Sequence, residues 1–440
     1  MPQEKQIMID SVLYTIHANG TATVTGCLPV FRKIELHAMA EDAIVTEIGE
    51  RAFFQDHMLA EIILPQTLRS IGKEAFCGCE LLHKIEFPDE ITELGECCFG
   101  QCFQLREVRL SKQLTTIGEY AFKDCISLGK MEIPASCTEI AGNAFEECPS
   151  LTAFVVDDEN DVYTAVDGIL YTKDMSLLLR CPESRREPVS LPCGMEFARE
   201  AFDRCMFLPA IEAEAGHQRY CSIDGVLYNA EGDTLELLPQ GRRKPLHLSA
   251  DVVDIADIAL DQSFLPVQQI LEDGMVDFAW IDCCSIQPFD VDADNPAFSD
   301  VEGILYDKEQ TVLIACYGDF QGVLPIPDTV TVIDCGAVSG CGKVTGAILP
   351  SELQIIDNAA FSGCVALESL DVPASVTEIG MEAFLSCFAL QKLVIRGTDT
   401  TIGKDALMGC LNVKICAPRN SEAERYAAEW DVPFEPLDES

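Results

Sequence analysis

The chain is 440 residues long and nearly half hydrophobic, with 30 lysines and arginines against 73 aspartates and glutamates, a net charge of −43. That balance repels phosphate backbones and anionic headgroups, excluding nucleic acid and acidic membrane surfaces as partners. No window approaches the roughly 18 uncharged apolar residues that a membrane insertion needs.

Residues 1–47 read as an N-terminal β cap, because "SVLYTIHANGTATVTG" alternates around an Asn19-Gly20 turn. The N-terminus has no apolar run behind a basic start, so no secretory leader is expected. With 22 cysteines, a chain lacking a leader is expected to hold reduced thiols in the cytoplasm, the alternative being the cell surface or secretion.

From Ile48 a 23-residue pattern takes over, Ile-Gly-x-x-Ala-Phe-x-x-Cys-x-x-Leu, starting at Ile48, Ile71, Leu94, Ile117 and Ile140, so residues 48–139 form regular coils. Apolar positions 1, 5, 6, 9 and 12 are three to four apart, and the spacing predicts a short helical or 3-10 arc. Positions 15 and 17 alternate and predict a strand, closed by prolines such as Pro65, Pro88, Pro134, Pro350 and Pro373. One coil cannot bury its apolar side, but stacked coils pair their strands about 4.8 Å apart into a curved parallel sheet.

Residues 140–332 keep only degenerate starts, at Phe197, Ile255 and Met275, where Trp280 and Cys283 take the Phe and Cys places. Three related segments interrupt them, "VYTAVDGILYTKD", "RYCSIDGVLYNAE" and "AFSDVEGILYDKE". An acidic-Gly pair, a β-rich run, a polar turn and a second run predict inserted β-hairpins at about 157–185, 217–245 and 295–322. The regular period returns over 333–416, with starts at Ile333, Ile356, Ile379 and Ile402, giving twelve coils. Residues 417–440 read as a C-terminal cap: Ser421 and Glu424 have capping-box spacing, Ala423, Tyr426, Ala427 and Trp430 share a helical face, and "VPFEPL" returns along the last coil.

The ninth position is Cys79, Cys102, Cys125, Cys148, Cys205, Cys283, Cys341, Cys364, Cys387 and Cys410, broken only by Asp56 and Ser263. One small, soft thiol per coil at fixed phase predicts a core ladder, although stacked coils bring Cα atoms near disulfide range. Cys77, Cys97 and Cys284 place further thiols beside ladder positions without completing a zinc set, so no metal site is assigned. "DVDADN", Asp290 to Asn295, opens like a calcium loop but lacks the sixth-place glycine and has Val301 at the twelfth place, which predicts a solvated turn.

No Gly-x-Ser-x-Gly elbow or phosphate-binding glycine loop occurs, and His17, His37, His57, His83, His217 and His247 follow no shared phase. No catalytic residue and no cofactor is assigned. The remaining surface is the strand face, where positions 14 and 16 point outward. Glu61, Lys84, Glu107 and Lys130 alternate in sign, as do Glu86, Arg109 and Glu132, predicting a self-neutralising ladder. The candidate partner-binding face comprises Ile63, Ala153, Val155, Ile348, Asp371, Lys392 and Val394 of these outward columns, where an apolar patch on an otherwise acidic protein is a better interface candidate than the charged ladder.

The pattern continued as Leu-x-x-Ile-x-Leu-Pro, the inserted Asp-Gly-Ile-Leu-Tyr segments and the ending "NSEAERYAAEWDVPFEP" resemble the BspA-like, or Treponema pallidum-type, leucine-rich repeat over about residues 9–436. The resemblance implies a bacterial leucine-rich-repeat solenoid that binds or adheres, often at the cell surface, and brings no catalytic residue. The expectation is a mostly β repeat solenoid with short helical arcs, a non-enzymatic scaffold for a protein partner. Its alternative is an adhesin for host matrix or glycan, with calcium in its acidic turns.

Overall fold

Apolar residues recurring every 23 positions are buried by stacking equivalent arcs, and the computed structural model shows how each arc meets the next. It describes residues 4–256, 259–260, 267–270, 276–279 and 286–437. Ser263, Met275, Trp280, Cys283 and Cys284 lie outside them. The chain divides into two compact units, one of Met1–Arg186, Gly194–Phe207 and Val267–Ala279, the other of Glu187–Cys193, Leu208–Pro266 and Trp280–Ser440.

In the first unit, strands Lys5–Ile9, Val12–Ile16 and Thr21–Cys27 pair antiparallel in chain order, and the third pairs parallel with Ala43–Ile48. From there a ladder of very short parallel strands runs through Ser70–Ile71, Glu93–Leu94, Thr116–Ile117 and Glu139–Ile140. A second parallel ladder holds Lys33–Glu35, Glu61–Ile63, Lys84–Glu86 and Glu107–Arg109, and Lys130–Ile133 pairs likewise with Ala153–Val156. Each coil therefore carries two strands rather than the one expected. The second unit repeats the plan, with short strands Val312–Ala315, Val332–Ile333, Ile355–Ile356, Glu378–Ile379 and Thr401–Ile402.

The arc between the two strands is not helical. In the Ile71 coil Ala75 N–H bonds back to Gly72, Cys77 to Glu74 and Cys79 to Phe76, whereas the alternate donors Glu74, Phe76 and Gly78 reach Glu96, Cys98 and Gly100 of the next coil. A 3-10 helix would keep every one of these donors within its own coil. The alternation needs left-handed residues at positions 4 and 8, as at Glu74 (φ 54°), Gly78 (φ 79°), Cys97 (φ 52°) and Gln101 (φ 58°). Inside the arcs Phe53, Phe76, Phe99, Phe122 and Phe145 stack with centroids 4.9, 5.1, 5.6 and 5.6 Å apart.

The inserts are three-stranded, one strand more than a hairpin. In the first, Tyr163–Val166 and Ile169–Thr172 pair antiparallel about Asp167 and Gly168, and Leu177–Arg180 then leaves the meander to pair parallel with Glu196–Phe197. The other two do the same, through Thr234–Leu237 and Val312–Ala315. Each last strand thus pairs parallel with a short coil strand, at the fully buried Leu178, Leu235 and Leu313 that the 23-residue pattern did not reveal, and the third opens the short-strand ladder of the second unit. Where a coil from Met275 was expected, Val276–Ala279 forms a strand antiparallel to Val267–Ile270.

At the C-terminal end Glu422–Glu429 is an α-helix whose N-cap Ser421 hydroxyl accepts from Glu424 N–H. Ala423, Tyr426 and Ala427 are buried, while Trp430 is the C-cap residue and stays 42% exposed, off the buried face assigned to it. Phe434–Pro436 then pairs parallel with Lys414–Ala417.

Candidate functional site

The ninth-position thiols have a specific partner. Cys79 donates to the Phe53 carbonyl at 3.1 Å, Cys102 to Phe76 at 3.2 Å, Cys125 to Phe99 at 3.3 Å and Cys148 to Phe122 at 3.2 Å. In the second unit Cys364, Cys387 and Cys410 donate to Val338, Phe361 and Phe384 at 3.2, 3.1 and 3.1 Å. Each bond links a coil to the sixth-position carbonyl of the coil before it. Cys79, Cys102, Cys125 and Cys148 are fully buried, and burial pushes their thiols up, keeping them protonated donors. No disulfide joins any two of the described cysteines.

On the outward face of the first unit, Glu61 faces Lys84, Lys84 faces Glu107, and Glu86 faces Arg109 across the ladder. Lys84 lies 3.0 Å from Glu86 and 3.5 Å from Glu107, and Lys33 lies 2.8 Å from Glu61. The bonded lysines hold the Glu61 and Glu86 carboxyls below their ordinary range. These exposed pairs contribute little each, but they leave that ladder largely self-neutralised.

The candidate apolar residues are not gathered into one patch. Ile63 and Val155 are 44% and 46% exposed, but Glu86, Arg109 and Glu132 intervene along their column. Ala153 is partly covered: a Cβ on Gly168, in the first meander turn, would come within 2.9 Å of the Ala153 Cβ. Ala210 and Pro288 meet Gly225 and Gly303 in the same way, so the small residue serves the insert rather than a partner. In the second unit Val394 is only 9% exposed, between Asp371 and Cys416 on the paired strands. Asp371 is itself engaged, bound by Arg396 through two hydrogen bonds of 2.7 and 2.6 Å, while Lys392 is exposed.

What remains open is Ile348, 69% exposed, together with two residues the period did not flag. Gly322–Pro325 pairs parallel with Val344–Ile348, setting Pro325 beside Ile348 and Val323 beside Gly346. Val323 is 54% exposed and Pro325 is exposed as well. The signal that would have found them is the ending "VLPIPDTVTVI", which matches the strand-to-turn passage of the regular coils without their Ala-Phe-x-x-Cys arc.

The acidic turn is accounted for by the chain itself. Asn295 is fully buried; its amide donates to the Ser249 and Val252 carbonyls and its oxygen accepts from Ala297 and Phe298 N–H. Asn160 does the same at the first insert. Among the described residues no group of three or more His, Cys, Asp or Glu is placed to hold a metal, and no helix is long and apolar enough to cross a membrane.

The histidines pair with scattered carboxylates, as His37 does with Asp10 at 2.8 Å and His247 with Asp290 at 3.1 Å. A hydroxyl–imidazole–carboxylate series exists at Thr23, His17 and Glu4, with contacts of 2.9 and 3.3 Å. There the Thr23 hydroxyl also donates to Glu47 at 3.2 Å and is nearly buried, so it is a strand-to-strand contact. A cleft of about 700 Å³ in the second unit includes Glu212, Asp224, Arg242, Arg243 and Lys244, but Asp224 binds Arg242 and Lys244 at 2.7 and 2.8 Å, and Arg243 donates to the Gln240 and Arg242 carbonyls.

With two strands per coil, a thiol ladder and stacked phenylalanines established, a family model describing the BspA type leucine rich repeat region matches residues 43–164 and 320–423, in six copies. Those segments are just over half of the chain. The chain belongs to the BspA-type leucine-rich repeat family. This BspA-type chain is similar to solved bacterial structures along its whole length. One is a leucine rich cell surface protein from Faecalibacterium prausnitzii A2-165, 18% identical over 100% of this chain and 99% of that one, with a TM-score of 0.36. Another is a leucine-rich repeat protein from Bacteroides ovatus ATCC 8483, at 21%, 98%, 100% and 0.39. A third is the pneumococcal vaccine antigen PcpA, at 15%, 100%, 100% and 0.42. No curated protein matches the BspA-type chain. Bacterial leucine-rich repeat proteins of this family suggest a protein-binding or surface-associated scaffold.

Proposed function

We propose that the chain is a non-enzymatic scaffold that presents its long-strand face to a protein partner, with Val323, Pro325 and Ile348 as the contact centre. The observation that carries this reading is the exposure of three apolar side chains on two paired strands of a chain whose net charge is −43. Covering the exposed part of these side chains recovers roughly 25 cal/mol per Å² of apolar surface. A rigid repeat surface also adds little ordering cost on association. The contact is confined to the second unit, and Val394 plays no part in it. The ladder further supports a reducing, cytoplasmic setting, because each thiol bonds only while it keeps its proton.

The test is capture of proteins from native cell extract by the full chain, wild type against Val323→Asp with Ile348→Asp. A discrete protein retained by wild type and lost by the double variant, at unchanged Tm, is the expected result. Equal retention by both would remove this face from the reading.

A further inference from the structure

Two cysteines stand off the ladder and meet each other. Cys77 is position 7 of its coil and Cys97 position 4 of the next, and their Sγ atoms lie 3.7 Å apart. The slot that admits them is made by Gly100: a Cβ there would sit 2.4 Å from the Cys97 sulfur and 3.6 Å from that of Cys77. The neighbouring ladder thiols Cys79, Cys102 and Cys125 are sealed in the core and donate their protons to carbonyls, whereas Cys97 is partly exposed. From these positions we infer that Cys77 and Cys97 form a thiol oxidation site, closed to an inter-coil disulfide by peroxide.

The chemistry balances within the pair and its oxidant. The Cys97 thiolate attacks one peroxide oxygen, the O–O bond breaks, and the hydroxide released takes a proton to become water. The Cys77 sulfur then attacks the Cys97 sulfenic sulfur; the S–S bond forms, the S–O bond breaks, and the departing hydroxide leaves as water with the Cys77 proton. Two thiols lose two electrons in total, and one peroxide becomes two waters. The order of attack follows from the contact, since the S–H···S hydrogen bond between the two thiols holds Cys97 below its ordinary value while Cys77 is pushed up. Glu74 and Glu96 oppose that pull and Lys123 aids it. The sulfurs must close from 3.7 to about 2.05 Å, a change of side-chain rotamer between coils already hydrogen-bonded to each other.

The experiment treats the reduced full chain with hydrogen peroxide near neutral pH and maps its peptides without reduction. The expected result is loss of two thiols per chain and a Cys77–Cys97 cross-linked peptide before any other, reversed by dithiothreitol. In Cys77→Ser, Cys97 stops at the sulfenic acid and is trapped by dimedone; in Cys97→Ser, Cys77 gives no dimedone adduct. Peroxide that oxidises the exposed Cys193 or Cys335 first, with Cys77 and Cys97 still thiols, would overturn the proposal. Because the mapping is made on the wild-type chain, it decides the question even if a serine variant fails to fold.

Discussion

Cys102 shows what a repeated thiol does that another small residue would not. Its S–H gives the Phe76 carbonyl a second hydrogen bond, from the next coil, beside the one it accepts from Cys79 N–H within the arc. Removing that donor costs the carbonyl one of its two hydrogen bonds, about 0.5–1.5 kcal/mol. Cys102→Ala should therefore lower the urea midpoint, and Cys102→Ser, which keeps a hydroxyl donor, should lower it less. Equal losses would mean that volume alone fills the slot. The fixed phase of the thiols was legible in sequence; the acceptor was not, because it belongs to the neighbouring coil, 26 residues back. Asp56 opens the ladder without a thiol, and its carboxylate turns instead to the Met58 and Leu59 N–H groups.

Within the arc, glycine is favoured for two different reasons. At position 2 coils touch backbone to backbone: a Cβ on Gly95 would lie 2.8 Å from Gly72 C and Lys73 N. Gly95→Ala can be accommodated only by moving a neighbouring coil, and a loss of about 1–3 kcal/mol is expected in denaturant unfolding. At position 8 the reason is φ, and a non-glycine residue there carries strain. Gln101→Gly, at φ 58°, should be neutral or stabilising, whereas losses of similar size at both sites would show that the arc is set by side-chain contacts instead. The period identified where coils begin because Ile, Phe and Cys recur at fixed places. It misread the arc as helical because local spacing cannot tell an i→i+3 bond from one that alternates with the next coil. It passed over the parallel pairings at Leu178, Leu235 and Leu313 because these follow antiparallel meanders and lack the Ala-Phe-x-x-Cys arc. The outward phase of Val394 was likewise legible, but its covering depends on what stands on the adjacent strands.

Charge sets the behaviour of the whole molecule with pH. A net charge of −43 makes the folded chain repel itself near neutrality, so added salt should raise Tm. Buried carboxyls act in the same direction. Burial, then the hydrogen bond to Glu147, pushes Asp124 up to about 8, with Lys123 and Arg204 opposing; burial pushes Glu183 to about 7 against Arg180. These groups hold a proton when folded that an unfolded carboxyl has lost, so stability falls as pH rises from about 4 to 8. Glu61, Glu86, Asp224 and Glu435 are held low by their lysine partners, and the stability they supply is lost as pH falls below the ordinary carboxylate range. The two limbs place the highest Tm on the acidic side of neutrality. Asp124→Asn supplies an amide that can donate to Glu147 without a titrating proton, and should make the decline toward pH 8 shallower while Glu183 keeps part of it. A Tm that climbs steadily from pH 5 to 8 in wild type, or an unchanged slope in the variant, would show that the Asp124–Glu147 proton does not govern stability.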